Sequence, residues 1–296
     1  MTAPILVLGN VNVDLVLGPV DGWPAIGTEI EVERAEMRAG GSAGNTALAL
    51  SGLDEPHLLV ASTGDDPNGI WLRGEFDARF SDWIVDPGMT TTTVGIVHTG
   101  GDRAFFTTPG HLQRAAPEPL LERIDRAPRE GAVAILSGNL LMPRIRNATS
   151  RILAELRARG WQTAIDPGWP PQGWTEKFRQ TFVEWLGLAD HILLNEEEVS
   201  GFGGADAILG LLPSASTLVV KRGPEGAVAW RNGEEIRVAA PKVEVIDTVG
   251  AGDTFNAAYL ARHVAGASLE EALRHGVEVA SFAVSTFPRS YGPAQK

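Results

Sequence analysis

The sequence contains no cysteine, and its positive charges are outnumbered by its negative ones. Without cysteine the chain has no disulfide bond, no thiolate metal site and no cysteine nucleophile, which favours a reducing compartment. Its 25 basic and 37 acidic residues give a formal net charge of −12. This balance excludes a global basic field for nucleic acid or an anionic membrane, so we expect any phosphate site to be local and built from backbone amides.

Long apolar runs and several familiar binding motifs are also missing. The N-terminal MTAPILVLGNV has no basic region, and its apolar run is too short for a signal peptide or a membrane span, so we expect a cytoplasmic protein. Neither a GxxxxGK[ST] loop nor an HExxH motif occurs. GAGDTF (250–255) begins like a dinucleotide-binding motif, but Phe255 stands where the third glycine is required.

Short apolar runs alternate with helical patterns along most of the chain. The runs are rich in Val, Ile and Leu without polar alternation, as expected for strands covered on both faces, and lie at 5–9, 57–62, 132–138, 162–166, 191–195 and 217–223. Helical periodicity appears between them, at 42–53, 117–127, 148–160 and 174–189. This alternation predicts an α/β fold with a mainly parallel central sheet flanked by helices.

Two stretches, 13–38 and 91–108, depart from this pattern. Both alternate polar and apolar residues with a period of two, and HTGGDRA (98–104) places a Gly-Gly turn between two such segments. They predict antiparallel strands that form a small second sheet. That sheet could be a pair of edge hairpins or a lid over the carboxyl edge of the main sheet.

Gly40 to Gly44 read GGSAG, which matches the GxSxG nucleophile elbow of serine hydrolases. The elbow requires a buried strand immediately before it, and the preceding ERAEMRA is too polar for one. A serine hydrolase with Ser42 as nucleophile is therefore a disfavoured alternative.

The segment DTVGAGDTFNA (247–257) combines a glycine turn with two carboxylates. Gly250, Ala251 and Gly252 can form a tight turn whose amides point one way at the start of a helix, which makes a site for developing negative charge. Asp253 falls in the first turn of that helix. It could be a helix cap, or a general base that takes a proton from a hydroxyl.

This segment resembles the second signature, DTxGAGD, of the ribokinase-like (PfkB) carbohydrate kinases, and residues 247–253 match every fixed position of it. Further segments resemble other elements of that family in the required order: GNVNVD (9–14), AGGSAGNTALAL (39–50), LLNEEEVSGF (193–202) and KRGPEGAV (221–228). The resemblance runs from about residue 4 to residue 292. It implies one ribokinase-like α/β domain over residues 1–296, with lid strands inserted at about 13–38 and 91–108.

The resemblance implies an ATP-dependent kinase that phosphorylates a hydroxyl of a small carbohydrate. Asp253 would be the general base, with an anion hole formed by Gly250, Ala251 and Gly252. The residues implied for the acceptor are Asn12, Asp14, Gly41 and Asn45, with Asn139 where relatives often present a polar group. Arg103 of the predicted lid could meet the substrate if it points inward, or be a solvated charge. Those implied for the nucleotide are Asn195, Gly223 and Gly226, with Glu198 helping to hold Mg²⁺ through water. Lys221 stands where many relatives carry Thr or a similar small residue, and it could reach a phosphate or be a strand-end charge.

Asp247 has a separate implied role. In the family this position binds a monovalent cation such as K⁺, together with loop carbonyls and a C-terminal turn, here STFPRSYG (285–292). The alternative is that Asp247 only hydrogen-bonds its own turn. Ser42 stands where ribokinases carry Lys, which argues against ribose. No inward basic cluster for a phosphorylated sugar is evident apart from Arg103.

Two other functions stay open at this stage. A nucleoside kinase would share the same framework, and a catalytically idle sugar-binding protein could keep the fold. An intact Asp253 with its glycine turn argues against the idle protein. We also expect a homodimer formed through an exposed apolar face of the lid.

Overall fold

The computed structural model describes residues 5–99, 103–127 and 133–292. The strands of this part of the chain are β1 Ile5–Gly9, β2 Asn12–Val20, β3 Arg34–Gly40, β4 His57–Gly64, β5 Ser81–Asp86, β6 Thr92–His98, β7 Arg103–Thr107, β8 Val133–Ser137, β9 Gln162–Asp166, β10 His191–Asn195, β11 Thr217–Lys221, β12 Ala227–Arg231 and β13 Glu234–Val238. All six predicted buried strands are present.

The helices separate most of these strands. They are α1 Ser42–Gly52, α2 Pro67–Gly74, α3 His111–Arg114, α4 Pro117–Arg126, α5 Pro143–Ala158, α6 Glu176–Leu186, α7 Glu196–Phe202, α8 Ala205–Leu209, α9 Ala251–Val264 and α10 Leu269–Val284, with 3₁₀ turns at Asn139–Leu141 and Gly223–Glu225. None of the helices described is both long enough and apolar enough to cross a membrane.

Nine strands form the main sheet, in the order β13-β12-β11-β10-β9-β8-β1-β4-β5. The strands from β11 to β5 pair in parallel, and β12 and β13 add an antiparallel edge. Alternate side chains of β1 pack on opposite faces, Ile5 and Val7 with α1, α9 and α10, and Leu6 and Leu8 with α4 and α5. Both faces are thus covered by helices, which explains the continuous apolar runs.

The small sheet has the order β3-β2-β6-β7 and is built from the two alternating stretches. Its outer pairs, β2 with β3 and β6 with β7, are antiparallel as predicted, and β2 and β6 join the two pairs in parallel. Strand β3 begins at Arg34, so residues 28–33 of the predicted strand are irregular and largely exposed. The pairing of β3 with β2 stops at Arg34 opposite Gly18, because the next residue of β2, Pro19, has no N–H to donate and β2 ends one residue later. The predicted Gly-Gly turn at 100–101 lies outside the described residues.

Candidate active site

Polar side chains collect where the parallel strands end. Asp166, Asn195 and Lys221 are the last residues of β9, β10 and β11. Asn12 follows β1 after two residues. Because the carboxyl ends of parallel strands lie at one edge, these groups come together there, as ligand sites in open α/β sheets do.

The glycine turn predicted to bind negative charge lies at the start of α9. Gly250 has a φ of 71°, and a Cβ added there would lie 2.9 Å from both Arg289 Nη1 and Asn45 Cγ, so only glycine fits. The first hydrogen bond of the helix runs from the Thr254 N–H to the Gly250 carbonyl. Among the described residues the Gly252 amide has no carbonyl partner, which leaves it available to an anion.

The Ala251 amide departs from the prediction. It donates to the Thr248 carbonyl at 3.2 Å, because the turn closes on itself before the helix begins. Of the three amides predicted to form the anion hole, the Ala251 N–H is therefore engaged within the turn and does not point to an anion.

Asp253 lies in the first turn of α9 and is partly buried. Its Oδ2 accepts a hydrogen bond from Asn45 Nδ2 at 3.0 Å. Burial raises the pKa of Asp253 to about 7, and the nearby Asp166 carboxylate adds to this effect. The Asn45 hydrogen bond and the positive charges of Lys221 and Arg289 act in the opposite direction. A carboxyl group whose pKa is near neutrality is suited to general-base chemistry.

A buried ion pair lies beside the glycine turn. Lys221 Nζ lies 2.6 Å from Asp166 Oδ2 and donates to Asn256 Oδ1 at 3.2 Å, while Asn256 Nδ2 donates to the same Asp166 oxygen at 2.5 Å. Burial alone lowers the pKa of Lys221, but Asp166 and Glu198 outweigh it, so the pKa is raised and the ammonium stays charged. A Cβ added to Gly252 would lie 3.4 Å from Lys221 Nζ, so this charge lies next to the free amide.

Three of the predicted acceptor residues, Asn12, Asp14 and Gly41, lie close together at the small sheet. Asn12 Nδ2 donates to Asp14 Oδ1 at 2.7 Å and to Thr93 Oγ1 at 3.2 Å. Burial raises the pKa of Asp14 to about 6 against the opposing effects of Asn12 and Arg38. Gly41 has a φ of 83°, and a Cβ there would lie 2.8 Å from Asn12 Oδ1. These contacts leave hydroxyl-binding groups close to one another.

The residues predicted to bind the nucleotide and its metal lie at two places, the start of α7 and the turn between β11 and β12. Asn195 and Glu198 form a capping box at α7, in which each side chain accepts from the other residue's amide at 2.8–2.9 Å. Burial and the nearby Asp166 raise the pKa of Glu198. Gly223 and Gly226 flank the turn between β11 and β12, and the space beside Gly223 is open, with no atom within 4 Å of an added Cβ.

Asp247 is surrounded by arginine side chains. Its Oδ2 lies 2.7 Å from Arg38 Nη1, 3.4 Å from Arg34 Nη2 and 3.9 Å from Arg289 Nη2. Its Oδ1 accepts from the Val249 N–H at 2.9 Å. Burial alone raises the pKa of Asp247, but the Arg38 contact and the Val249 amide outweigh it, so the pKa is lowered and the carboxylate stays ionised. Guanidinium groups thus surround the carboxylate that the resemblance implied as a ligand of a monovalent cation. These surroundings do not fit a cation, because the positive charges of the arginine side chains would repel it.

Two polar side chains, Asn139 and His111, are fully buried. Asn139 was predicted to contact the acceptor, and its Nδ2 donates to Thr149 Oγ1 of α5 at 2.7 Å, so a contact with an acceptor stays a prediction for its Oδ1. His111 is also fully buried and accepts from the Thr91 N–H at 3.0 Å, and burial lowers its pKa to about 4. Arg103 begins β7 opposite Val97, but its side chain lies outside the described part.

Ser42 does not have the surroundings of a hydrolase nucleophile. It begins α1 directly after β3 of the small sheet, and its N–H donates to Asn10 Oδ1 at 2.9 Å. Across the described ranges, no histidine hydrogen-bonds Ser42. The serine-hydrolase alternative therefore lacks both its buried strand and a base.

Several site residues were not singled out from the sequence. Asp166 ends a strand that was predicted, so its position at the carboxyl edge was an available signal. Arg38 carried none, since it is one of many arginines and reaches Asp247 only through the fold. Arg289 lies in the turn that the resemblance placed beside Asp247, but the sequence did not mark its guanidinium as a partner of the carboxylate. Asn256 lies in an apolar helical run and has no local signature.

Comparisons with known proteins identify the family of the chain. A family model described as pfkB family carbohydrate kinase matches residues 3–291. An ATP-dependent ribose-1-phosphate kinase of Halopiger xanaduensis is 28% identical over 92% of this chain and 88% of its own. A 2-dehydro-3-deoxygalactonokinase of Haloferax volcanii is 25% identical over 95% of this chain and 91% of its own.

Solved structures share the fold. The Arabidopsis thaliana ribokinase complexed with ribose and ATP has a TM-score of 0.78 at 24% identity, covering 97% of this chain and 94% of its own. The Sinorhizobium meliloti adenosine kinase also has a TM-score of 0.78, at 23% identity over 98% of this chain and 96% of its own. The chain therefore belongs to the pfkB family of carbohydrate kinases, which are ATP-dependent phosphotransferases.

Proposed function

We propose that the protein transfers the γ-phosphoryl group of ATP to a hydroxyl of a small carbohydrate. The observation that carries the proposal is the position of Asp253, which Asn45 holds beside the free Gly252 amide. One oxygen of Asp253 can take the hydroxyl proton while the amide and the neighbouring Lys221 charge stabilise the negative charge that develops on the phosphoryl group. Phosphoryl transfer depends mainly on such positioning and charge stabilisation.

The nucleotide would lie along the turn at Gly223–Glu225. Open space beside Gly223 is available to it, and the segment after β13 exposes the aliphatic side chains of Val243, Val245 and Ile246 for an apolar base. The carboxylates of Glu198 and Asp166 fit a hydrated Mg²⁺, which prefers oxygen ligands and would neutralise the phosphates when bound. In the described chain, no three His, Cys, Asp or Glu residues cluster as a complete metal site, so water and phosphate would complete the coordination.

The acceptor residues suit the hydroxyls of a carbohydrate, and the choice of a carbohydrate over a nucleoside rests on the named relatives. Asn12, Asp14 and Thr93 offer hydroxyl-binding atoms within one hydrogen-bonded group. Strand register places Phe105 on the same face, because Asp14 pairs with Thr93 and Thr93 with Thr107, two residues away. Phe105 is 58% exposed and could stack on the apolar face of a sugar ring. The relatives named for ribose 1-phosphate and for a sugar acid support a carbohydrate.

The small sheet would act as a lid that excludes water from the reacting groups, so that ATP is not hydrolysed. Its opposite face exposes Met37 and Phe106, and Trp23 packs edge-on against Phe106. The homodimer predicted through this face stays a prediction, which the molecular mass in solution would decide.

The function is tested by ADP release with a panel of acceptors. Purified protein, ATP and Mg²⁺ are incubated with hexoses, pentoses, sugar acids, sugar phosphates and nucleosides. The proposal predicts acceptor-dependent ADP formation with one carbohydrate class. A preference for nucleosides would favour the nucleoside kinase, and binding without turnover would favour the idle protein.

The pH profile of kcat/KM should have an acid limb set by Asp253. The base acts only when it is deprotonated, and its pKa is raised to about 7, so the rate should increase as the pH rises through about 7 and then level off. The charged groups that set this value are Asp166, Lys221 and Arg289. A rate independent of pH between 5.5 and 8.5, measured with an acceptor that does not titrate, would contradict the role of Asp253.

Phe105→Ala and Phe106→Ala form a matched pair. The two rings are nearly equally exposed, at 58% and 56%, but they lie on opposite faces of the small sheet. Loss of a stacked ring should raise the acceptor KM about tenfold in Phe105→Ala, while Phe106→Ala should stay within about twofold of the parent. Equal KM values for both variants would show that Phe105 does not contact the acceptor.

A further inference from the structure

The turn that leads into α9 carries the negative charge of Asp247, and arginine side chains balance this charge. Asp247, which begins the turn, is only 11% exposed, and it lies within ion-pair distance of Arg34, Arg38 and Arg289. Arg34 and Arg38 come from β3 of the small sheet, and Arg289 comes from the segment after α10. Elements far apart in the sequence therefore converge on one carboxylate.

Arg289 spans the turn from one end to the other. Its Nη2 donates to the Asp247 backbone carbonyl at 3.5 Å and lies 3.9 Å from Asp247 Oδ2. Its Nη1 lies 2.9 Å from the position that a Cβ on Gly250 would occupy. The same guanidinium thus contacts the start of the turn and packs on the glycine that leads into the anion hole. Its charge also reaches Asp253, where it favours the carboxylate.

Arg38 contacts Asp247 from β3 of the small sheet. Its Nη1 donates to Asp247 Oδ2 at 2.7 Å, and its strand partner is Asp14 of the acceptor group. A bound cation would bring positive charge to the carboxylate and the carbonyl of Asp247. Two guanidinium groups already supply that charge. Guanidinium nitrogens donate hydrogen bonds in fixed directions, which suits the ordering of a turn through its oxygens.

On the basis of the proposed kinase function, we propose that Arg38 and Arg289 replace the monovalent cation at the turn. Arg289 is then a positioning residue: it holds Asp247 and Gly250 so that the Gly252 amide faces the phosphoryl group. Phosphoryl transfer by this protein does not depend on K⁺.

The wild-type enzyme provides the first test. Initial rates are measured with ATP, Mg²⁺ and the best acceptor at one ionic strength, in potassium, sodium or tetramethylammonium chloride. The proposal predicts rates within about twofold of one another, since a cation without a site shifts nothing. A rate more than about tenfold higher in potassium would overturn it, because it would show a cation site that the guanidinium groups do not fill.

Variants of Arg289 provide the second test. Arg289→Ala should lower kcat by about 10- to 100-fold and should regain activity with millimolar guanidinium or with potassium. Arg289→Lys keeps the charge but loses the fixed donor directions, so its rate should lie between those of Arg289→Ala and the wild type. The control is Arg274→Ala, an exposed arginine of α10 that pairs only with Glu270 in the described contacts. Full activity in Arg289→Ala, or a loss that neither cation restores in a folded variant, would overturn the proposal.

Thermal unfolding separates this inference from the kinase function. If no acceptor is phosphorylated, the proposed function fails, but the cation site can still be examined. The melting temperature of the wild type should be the same in potassium and tetramethylammonium, and potassium should stabilise Arg289→Ala alone. Potassium-specific stabilisation of the wild type would contradict the replacement.

Discussion

Asp253→Asn should lower kcat by about 10²- to 10⁴-fold while the affinity for ATP stays within a few-fold of the parent. Asparagine keeps the shape of the side chain and can still contact Asn45, but it cannot accept the hydroxyl proton. Since the Gly252 amide and Lys221 are unchanged, the nucleotide phosphates keep their partners. Initial rates with saturating acceptor, and ATP titration by calorimetry, measure the two quantities separately.

Asp206→Asn is the matched control for this substitution. Asp206 occupies the first turn of α8 and is exposed, so it has the helix-capping environment without the site. Its substitution should leave kcat unchanged. If Asp253→Asn were as active as Asp206→Asn, Asp253 would only be a charge at a helix terminus and would not be the base.

Stability gives an independent check on Asp253→Asn. Because the folded-state pKa of Asp253 is raised above its ordinary value of 3.8, the folded state favours the protonated form, and stability falls as pH rises from about 4 to about 7. The variant has no such group. Its melting temperature should therefore equal or exceed that of the wild type at pH 8, so that an activity loss there cannot be ascribed to unfolding.

Lys221→Met should have the largest effect on stability. The substitution leaves the Asp166 carboxylate buried without its cation, and removing one partner of a buried pair typically costs about 3–5 kcal/mol. We expect a fall in melting temperature on the order of 10 °C. The folded fraction should also have a low kcat, because the charge beside the Gly252 amide is gone.

Two further variants identify the cause of that loss. Arg222→Met removes the next residue, whose ion pairs with Glu196 and Glu225 are exposed, and should cost less than about 1 kcal/mol. The double variant Lys221→Met with Asp166→Asn should regain much of the lost stability, because the buried carboxylate in direct contact with the lysine is removed together with it. A double variant as unstable as the sum of the two single variants would show that the pair is not coupled.

Most of the architecture was predictable because buried parallel strands leave a strong pattern. The runs at 5–9, 162–166 and 191–195 match β1, β9 and β10 residue for residue. The pattern was weaker in the small sheet, where 28–33 alternate as a strand would but lie beyond the last pair of β2 and β3, Gly18 with Arg34. Alternation shows that a segment can form a strand, whereas pairing depends on a neighbour elsewhere in the chain.

The site was predictable where a short segment carries its own geometry. The glycine turn and Asp253 are adjacent in sequence, so their place at the start of α9 follows from local structure. Asn139 also follows a strand, yet its side chain turns toward Thr149, because a buried hydrogen-bond partner was available in α5. The orientation of a side chain at a strand end is decided by such partners, which the sequence alone does not reveal.

The groups that distinguish this protein are held together by contacts over long sequence separations. Arg38 and Asp247 are 209 residues apart, and Lys221 and Asp166 are 55 residues apart. Neither pair has a spacing that predicts it. The cation expected from the resemblance was inferred from Asp247, loop carbonyls and the turn at 285–292, and the sequence did not reveal the three arginine side chains that lie around the carboxylate.

In the proposed reaction the γ-phosphoryl group of ATP is transferred to a carbohydrate hydroxyl with Asp253 as the base. Phosphorus NMR of ATP, Mg²⁺ and the best acceptor of the panel, with the wild type and Asp253→Asn in parallel, observes both the product and its dependence on Asp253. We expect a new sugar phosphate ester in equal amount to ADP with the wild type, and almost none with the variant. Inorganic phosphate instead of an ester, or the same ester formed equally fast by Asp253→Asn, would contradict it.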